Sequence, residues 1–277
     1  MKLPFPGTKK VEDVIHRPTM AFAVMCKDEE EHIGKSLNAV KNYVDYVVVA
    51  DNGSTDRTFE IVREFFQTTG LPGAWCIDEW EGFGKTKTKM MAHVKGYTDY
   101  VIHLDADDFL EGNFEFTFAD SGKDQYHIIN KKGGSRYWCS VIYDNTLTWK
   151  FCGAAHTIIR ALERPTYVTS TQISEDICWI DNSGMGSRIL DPHKFLKDAR
   201  VLENQYWETL LHDPDGLNTR SCFYCAQSYK DHGNGREKKY LINALQWYTK
   251  YMTLRSTWFE EEYEALIEMT NIKRTLN

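Results

Sequence analysis

Three times between residues 20 and 110 a short apolar run gives way to a polar, acid-bearing segment: MAFAVM to CKDEE, YVVVA to DNGSTD, and YVIHL to DADD. No other feature limits the possible folds as tightly. Runs this short and this apolar are the mark of strands covered on both faces. Helical spacing fills the intervals between them. Ile33, Leu37 and Val40 recur behind an acidic stretch expected to form a first helical turn; Phe59, Ile61, Val62, Phe65 and Phe66 follow the second run; residues 85–94 follow a further strand near residues 74–77. The alternation predicts an α/β fold: a mostly parallel sheet, flanking helices and right-handed crossovers. Ligands of such sheets bind beyond the carboxyl ends of the strands, so the three polar segments are expected to converge on one edge.

The pattern changes further along. Residues 125–181 are strand-rich, with YHIIN, RYWCSVIYD, LTWKFCG and HTIIRAL set off by Gly, Asn and Asp turns. From His193 onward helical segments take over, broken at DPDG and HGNG. The chain of 277 residues therefore divides near residue 190, into a sheet domain (1–190) and a helical extension (191–277).

Composition excludes several classes. A formal net charge of −7 argues against a broad phosphate-binding surface, so nucleic acid is not an expected partner. No stretch approaches a membrane span, and the N-terminus has no signal-like apolar run. Seven scattered cysteines set among apolar residues suit buried free thiols in a soluble protein of the reducing cytoplasm. Cys222 and Cys225 have CxxC spacing but lie in a helical pattern without a second pair, and are read as packing.

The candidate chemistry is acidic. Asp105 and Asp107 flank Ala106 in a DxD spacing at a strand end; carboxylate oxygens suit a hard divalent ion, Mg²⁺ or Mn²⁺, which in turn can bind a nucleotide diphosphate. On an extended chain the two would point the same way. The plain alternative is a solvated turn. ADNGSTDRT reads first as an Asx-type turn with Ser54 or Asp56 expected to cap the next helix, and only Asp51 and Asn52, nearest the strand, would also face a ligand.

VMCKDEEEHIGKSL, VVVADNGSTDRTFEIV, FGKTKTKM and DYVIHLDADDFL, in this order and spacing, resemble the N-terminal half of family two glycosyltransferases of the GT-A fold. LTWKFCGAAH and SRILDPHKFLKDARVLENQ resemble a subgroup with a short helical tail, and RSCFYCAQSYKDHGNGREKKYLINALQWYTKYM reads like one tetratricopeptide-type helix pair, with Tyr224, Ala226, Tyr229 and Ala244 at fitting positions. One such repeat cannot bury its own face and needs the catalytic domain, a protein partner or a second copy to cover it.

The resemblance implies that Asp107 ligates the metal and that Asp105 contacts ribose or a metal-bound water, with Asp28, Glu29, Asp51, Asn52, Ala106 and Lys87 at the nucleotide. Lys87 stands where the subgroup has Arg, a point charge in place of a fork. Asp181 stands near a family His that helps hold the metal. Relatives often carry His-Glu where this chain has His156-Thr157, and Thr157 cannot serve as that general base; Glu175, Asp176 and His156 are the substitutes. Trp138, Trp149 and Trp179 are weighed as sugar-stacking residues against a role in the core. The implied activity is metal-dependent, inverting transfer from a nucleotide-diphosphate sugar, a uridine diphosphate sugar by expectation, to a hydroxyl on a carbohydrate, lipid-linked or protein acceptor. Two rivals are a degenerate transferase that only binds nucleotide sugar or protein, and a nucleotidyltransferase; CKDEEEH lacks the Gly-rich phosphate loop of the latter.

Overall fold

The computed structural model describes residues 1–7, 17–116, 121–182, 191–254 and 258–277. The segment SGMGSRIL after Asn182, which includes the start of the linker read from the sequence, lies outside them. Two compact units emerge. The first comprises residues 1–81, 85–151 and 159–190; the second comprises residues 82–84, 152–158 and 191–277.

In the first unit the strands are β1 (Lys2–Phe5), β2 (Met20–Cys26), β3 (Tyr46–Asp51), β4 (Gly73–Ile77), β5 (Tyr100–Asp105), β6 (Asp108–Gly112), β7 (Gln125–Lys132) and β8 (Ser135–Asp144). A separate ladder joins β9 (Trp149–Cys152) and β10 (Ile158–Ala161), and β11 (Ser170–Gln172) and β12 (Cys178–Asn182) complete the set. The main sheet runs β1-β4-β3-β2-β5-β8-β7-β12-β6, with β11 added beside β7. Strands β4, β3, β2 and β5 are mutually parallel, and antiparallel strands flank them on both sides.

Alternation along the parallel strands sorts their side chains onto two faces. Met20, Phe22 and Val24 of β2 and Val47 and Val49 of β3 join one core with Ile33, Leu37 and Val40 of α1 (Ile33–Val40) and Val62, Phe65 and Phe66 of α2 (Thr58–Thr69). Ala21, Ala23, Val48, Ala50 and Ala74 face the other way and pack with Met90, Met91 and Val94 of α3 (Phe83–Val94). The alanines leave room for the unbranched methionines of α3, whose side chains fill irregular gaps. The strand residues on both faces are fully buried, as the apolar runs require. Gly73, which opens β4, is forced by closeness: a Cβ there would sit 2.2 Å from the Val47 carbonyl.

One local expectation is corrected. The acids of CKDEEEH precede α1 and contribute none of its first turn; the Glu29 carbonyl instead accepts the amides of His32 and Ile33.

The second unit contains α4 (Lys194–Thr209), α5 (Asn218–His232), α6 (Lys238–Thr253) and α7 (Phe259–Leu276). Consecutive helices pack on one another around Ala199, Leu202, Tyr206, Phe223, Ala226, Leu241, Ala244, Tyr248 and Ala265. The inner edge of α7 is pinned to α5 by Arg220–Glu261 (3.2 Å), Lys230–Glu268 (3.1 Å) and Gln227–Glu264 (3.3 Å). Cys222 and Cys225 are buried on α5, and all seven cysteines are free thiols. No helix among the described residues is long and apolar enough to cross a membrane.

Candidate active site

The register of the parallel strands brings their carboxyl ends level. Cys26 lies opposite Asp51, Met25 opposite Asp105, and Asp51 opposite Ile77. The three polar segments therefore leave the sheet along the same edge.

The segments after β2 and β3 are laced to each other. Asp28 adopts a left-handed backbone (φ 52°), a conformation disfavoured for any residue with a Cβ. Its amide donates to Ser54 Oγ (2.9 Å), and its Oδ1 accepts from the amide (2.7 Å) and hydroxyl (3.2 Å) of Thr55. The Glu29 amide donates to Thr58 Oγ1 (2.9 Å), and the Glu30 amide to Asp56 Oδ2 (3.0 Å). Asp51 is buried, and its Oδ1 accepts from the Ser54 amide (3.0 Å) and hydroxyl (2.5 Å). Asn52 Nδ2 donates to the Asp78 carbonyl (3.2 Å). Gly53, at φ 90°, supplies the reversal between them. The N-cap of α2 is Arg57, with no side-chain cap, in place of the Ser54 or Asp56 expected from the sequence; Asp56, one residue earlier, accepts at Oδ1 from the amide (3.0 Å) and hydroxyl (2.6 Å) of Thr58. The acidity of this corner reaches Cys26: burial, then the charges of Asp51, Glu29, Asp56 and Asp28, push its thiol well above the usual range.

The segment after β5 is built otherwise. The chain turns at Ala106 and Asp107 and re-enters a strand at Asp108, so the extended geometry expected for the DxD pair is replaced by a turn. Asp105 stays largely exposed, and Lys87 of α3 holds its Oδ1 at 2.7 Å, with the ammonium 5.7 Å from the centre of the Phe151 ring. Beneath them His103 is buried. Its Nδ1 lies 2.9 Å from the Ala23 carbonyl, and Nε2 lies 4.0 Å from Asp105. A carbonyl can only accept, so Nδ1 carries the proton. Burial, then the charge of Lys87, lowers the His103 pKa to about 4, so the ring is neutral at pH 7.

Asp108 is buried as well, and its Oδ1 has no hydrogen-bond donor among the described residues. Burial, then Asp105 and Asp107, push this carboxyl up to about 8. Its antiparallel partner is Asn182, whose Oδ1 is also buried without a donor, as is Oδ1 of Asn130 on β7. Asp181 is half-buried opposite Phe109, and strand alternation turns it to the face away from Asp108.

These observations test the implied cation. Among the described residues no three His, Cys, Asp or Glu side chains are grouped to hold a metal ion by themselves. The donor chemistry fits nonetheless: oxygen ligands at Asp105 and Asp107, beside buried acceptor oxygens short of donors, suit Mg²⁺ or Mn²⁺, which keep water and substrate phosphate in their shell.

The candidate bases are dispersed. Glu175 pairs with Arg136 and, with Ile129, Trp138, Gln172 and Ser174, lines an open depression of about 470 Å³ in the first unit. Asp176 beside it is exposed, its amide donating to Ser174 Oγ (3.3 Å). His156 belongs to the second unit, where its ring stacks on Tyr224 at 4.1 Å and its carbonyl accepts from Arg220 Nε (2.8 Å). Of the tryptophans, Trp149 is core and donates to the Asp144 carbonyl (2.7 Å), Trp179 lies under the Lys131 ammonium at 4.0 Å, and Trp138 is exposed at the depression.

Sequence reasoning passed over two residues. Asp78 follows β4, its amide donates to the Asp51 carbonyl (2.9 Å), and its carboxylate meets His93 Nε2 at 2.9 Å. The strand-end rule that marked Asp51 marks it too. His103 carried a weaker signal, a lone imidazole within an apolar strand.

Curated relatives match part of the chain. An uncharacterized glycosyltransferase of Rickettsia typhi is 32% identical over 107 residues, covering 37% of this chain and 34% of the relative. One of Rickettsia bellii is 28% identical over 120 residues, covering 42% and 38%. The matched stretch thus spans about a third of the length of these curated relatives. Among solved structures, S. aureus TarS in complex with UDP covers 93% of this chain and 90% of its own at 15% identity and a TM-score of 0.46. The mannosyltransferase PcManGT from Pyrobaculum calidifontis, in complex with GDP-Man and Mn²⁺, covers 97% and 90% at 12% identity and a TM-score of 0.47. Residues 22–115, which carry most of β2, all of β3 to β6 and the acids Asp51, Asp78, Asp105, Asp107 and Asp108, match the family described as Glycosyl transferase family 2.

Proposed function

We propose that this chain transfers a sugar from a nucleotide-diphosphate donor, a uridine diphosphate sugar, to a hydroxyl acceptor with inversion, in a metal-dependent reaction of the GT-A type. One observation carries the proposal: the level register that sets Asp51, Asp105 and the turn at Asp107 along one sheet edge, inside the segment that matches the family. Asp105 and Asp107 would hold a divalent cation, which when bound neutralises charge on the departing diphosphate; Asp181, turned to the other face of its strand, does not join them.

The residues of the chain supply the rest. Asp28, Glu29, Asp51 and Asn52 form the wall that receives the nucleoside, already ordered by its own hydrogen bonds and so low in ordering cost. Lys87 exchanges its Asp105 contact for the diphosphate, a point charge arriving on a flexible stem. Glu175 is the base the depression supports best: its carboxylate shares the cavity wall with Trp138, a surface suited to a sugar ring, and Arg136 orients it. The helices α5 and α6, with Ala226 and Ala244 buried between them, form the tetratricopeptide-like pair of the tail.

The test is a thermal-shift and hydrolysis screen of nucleotide sugars with and without Mn²⁺, on wild type and Asp107→Ala. Metal-dependent stabilisation with slow sugar release, both lost in the variant, supports transfer and names the donor. A second reading, a degenerate transferase that binds without turnover, is favoured by Thr157, which stands where the family resemblance implies a Glu base. Tight metal-dependent binding with no release from any donor selects it, and no binding at all rejects both.

A further inference from the structure

The last helix presents an apolar stripe to solvent. Phe259 is 82% exposed, Tyr263 68%, Leu266 50% and Ile267 41%, and Thr270 continues the same line. At about 3.6 residues per turn these five positions fall within an arc of roughly 100°. The opposite edge of α7 is the one already used, with Ala265 and Ile272 in the core and Glu261, Glu264 and Glu268 bonded to α5. A continuous apolar stripe on a helix otherwise rich in charge points to an interaction surface.

The charges flanking the stripe define what covers it. On one flank Glu262 lies toward the N-terminal end and Lys273 toward the C-terminal end; on the other flank Glu260 and Arg274 are arranged in the same order. The midpoint of each acid–base pair falls at residue 267 or within half a residue of it. A helix packed antiparallel on its own copy about a two-fold axis brings each flank against the same flank of the partner, with its direction reversed. Each Glu then meets a Lys or Arg on the partner, on both flanks at once, when the axis crosses α7 at Ile267. Leu266 and Ile267 would pack at the centre, with Tyr263 against Thr270 and Phe259 near the aliphatic stem of Arg274.

We propose that α7 is the interface of an isologous homodimer, two copies of this chain packed antiparallel through Phe259, Tyr263, Leu266 and Ile267. An 18-residue helix is about 27 Å long, so the contact falls short of a standard interface of about 800 Å² per partner and gives a dimer in the micromolar range.

Sedimentation equilibrium of the full chain from about 1 to 200 μM tests this. A monomer–dimer equilibrium is expected, weakened about tenfold or more by Tyr263→Asp, which places a charge in the seam. Two charge-reversed chains, Glu260→Lys with Glu262→Lys and Lys273→Glu with Arg274→Glu, should each be monomeric alone and should form a heterodimer when mixed. All five positions are partly or fully exposed, so the variants should fold; the four reversed charges oppose the helix dipole and should lower the thermal midpoint slightly, and the mixing result stands even so. Ile267→Cys should cross-link to its own copy, whereas Phe259→Cys should not. A chain that stays monomeric over the whole range overturns the proposal, and so does a dimer that survives Tyr263→Asp or two reversed chains that fail to pair.

Discussion

Two corners of one sheet edge solve opposite problems with the same kind of residue. Around β2 and β3 three turn carboxylates are committed to neighbouring amides and hydroxyls: Asp51 to Ser54, Asp28 to Thr55, Asp56 to Thr58. After β5, three aspartates crowd together with one lysine, and the deepest of them keeps an oxygen without a donor. A carboxylate satisfied by amides and hydroxyls fixes backbone, while a carboxylate raised to about 8 by burial and like charge stores an electrostatic demand that a cation would meet. On the proposed reading the first corner is a wall ordered before the nucleotide arrives, and the second is where a cation would bind.

The sharpest way to break this contrast is Asp107→Ala. It should leave the thermal midpoint without metal nearly unchanged, abolish Mn²⁺-dependent stabilisation, which at a hundredfold excess over Kd is about 2.7 kcal/mol, and slow sugar release about a hundredfold or more. Asp51→Ala should lower the stability of the free protein as well as donor affinity. Losing a buried carboxylate that accepts two hydrogen bonds costs about 2–3 kcal/mol, seen as a midpoint lowered by roughly 5–10 °C with or without metal. Gly53→Ala, at φ 90°, should cost about 1–2 kcal/mol through backbone strain alone, measurable by urea denaturation. The smallest effect on stability belongs to Lys87→Met: its partner Asp105 is largely exposed, so the change should stay within about 0.5 kcal/mol, while donor affinity measured by calorimetry falls. If Lys87→Met proves as destabilising as Asp51→Ala, the two corners are not distinct.

Much of this was legible in the sequence. Short apolar runs fixed the parallel strands, because burial on both faces leaves no alternation to misread, and the strand-end rule placed Asp51 and Asp105 on one edge. What escaped depends on contacts distant in sequence. The pairing of β6 with β12 joins Asp108 to Asn182 across more than seventy residues, and no local spacing signals it. The turn at Ala106–Asp107 was hidden because both of its neighbours are strand residues, so the run DADD reads as a continuation. Asp78 was missed for a different reason: its strand, GAWCI, is short, and the acids that follow read as solvated loop.

The chain enters the second unit early. Residues 82–84 and 152–158 belong to it, with Phe83 packed against its helices and Ala155 within its core, long before α4 begins. The helical tail is thus not a cassette that recombination could move with one crossover. A gene cut once after residue 190 would separate the helices from parts of their own core, so moving this tail to another protein would mean carrying or rebuilding two distant loops at the same time.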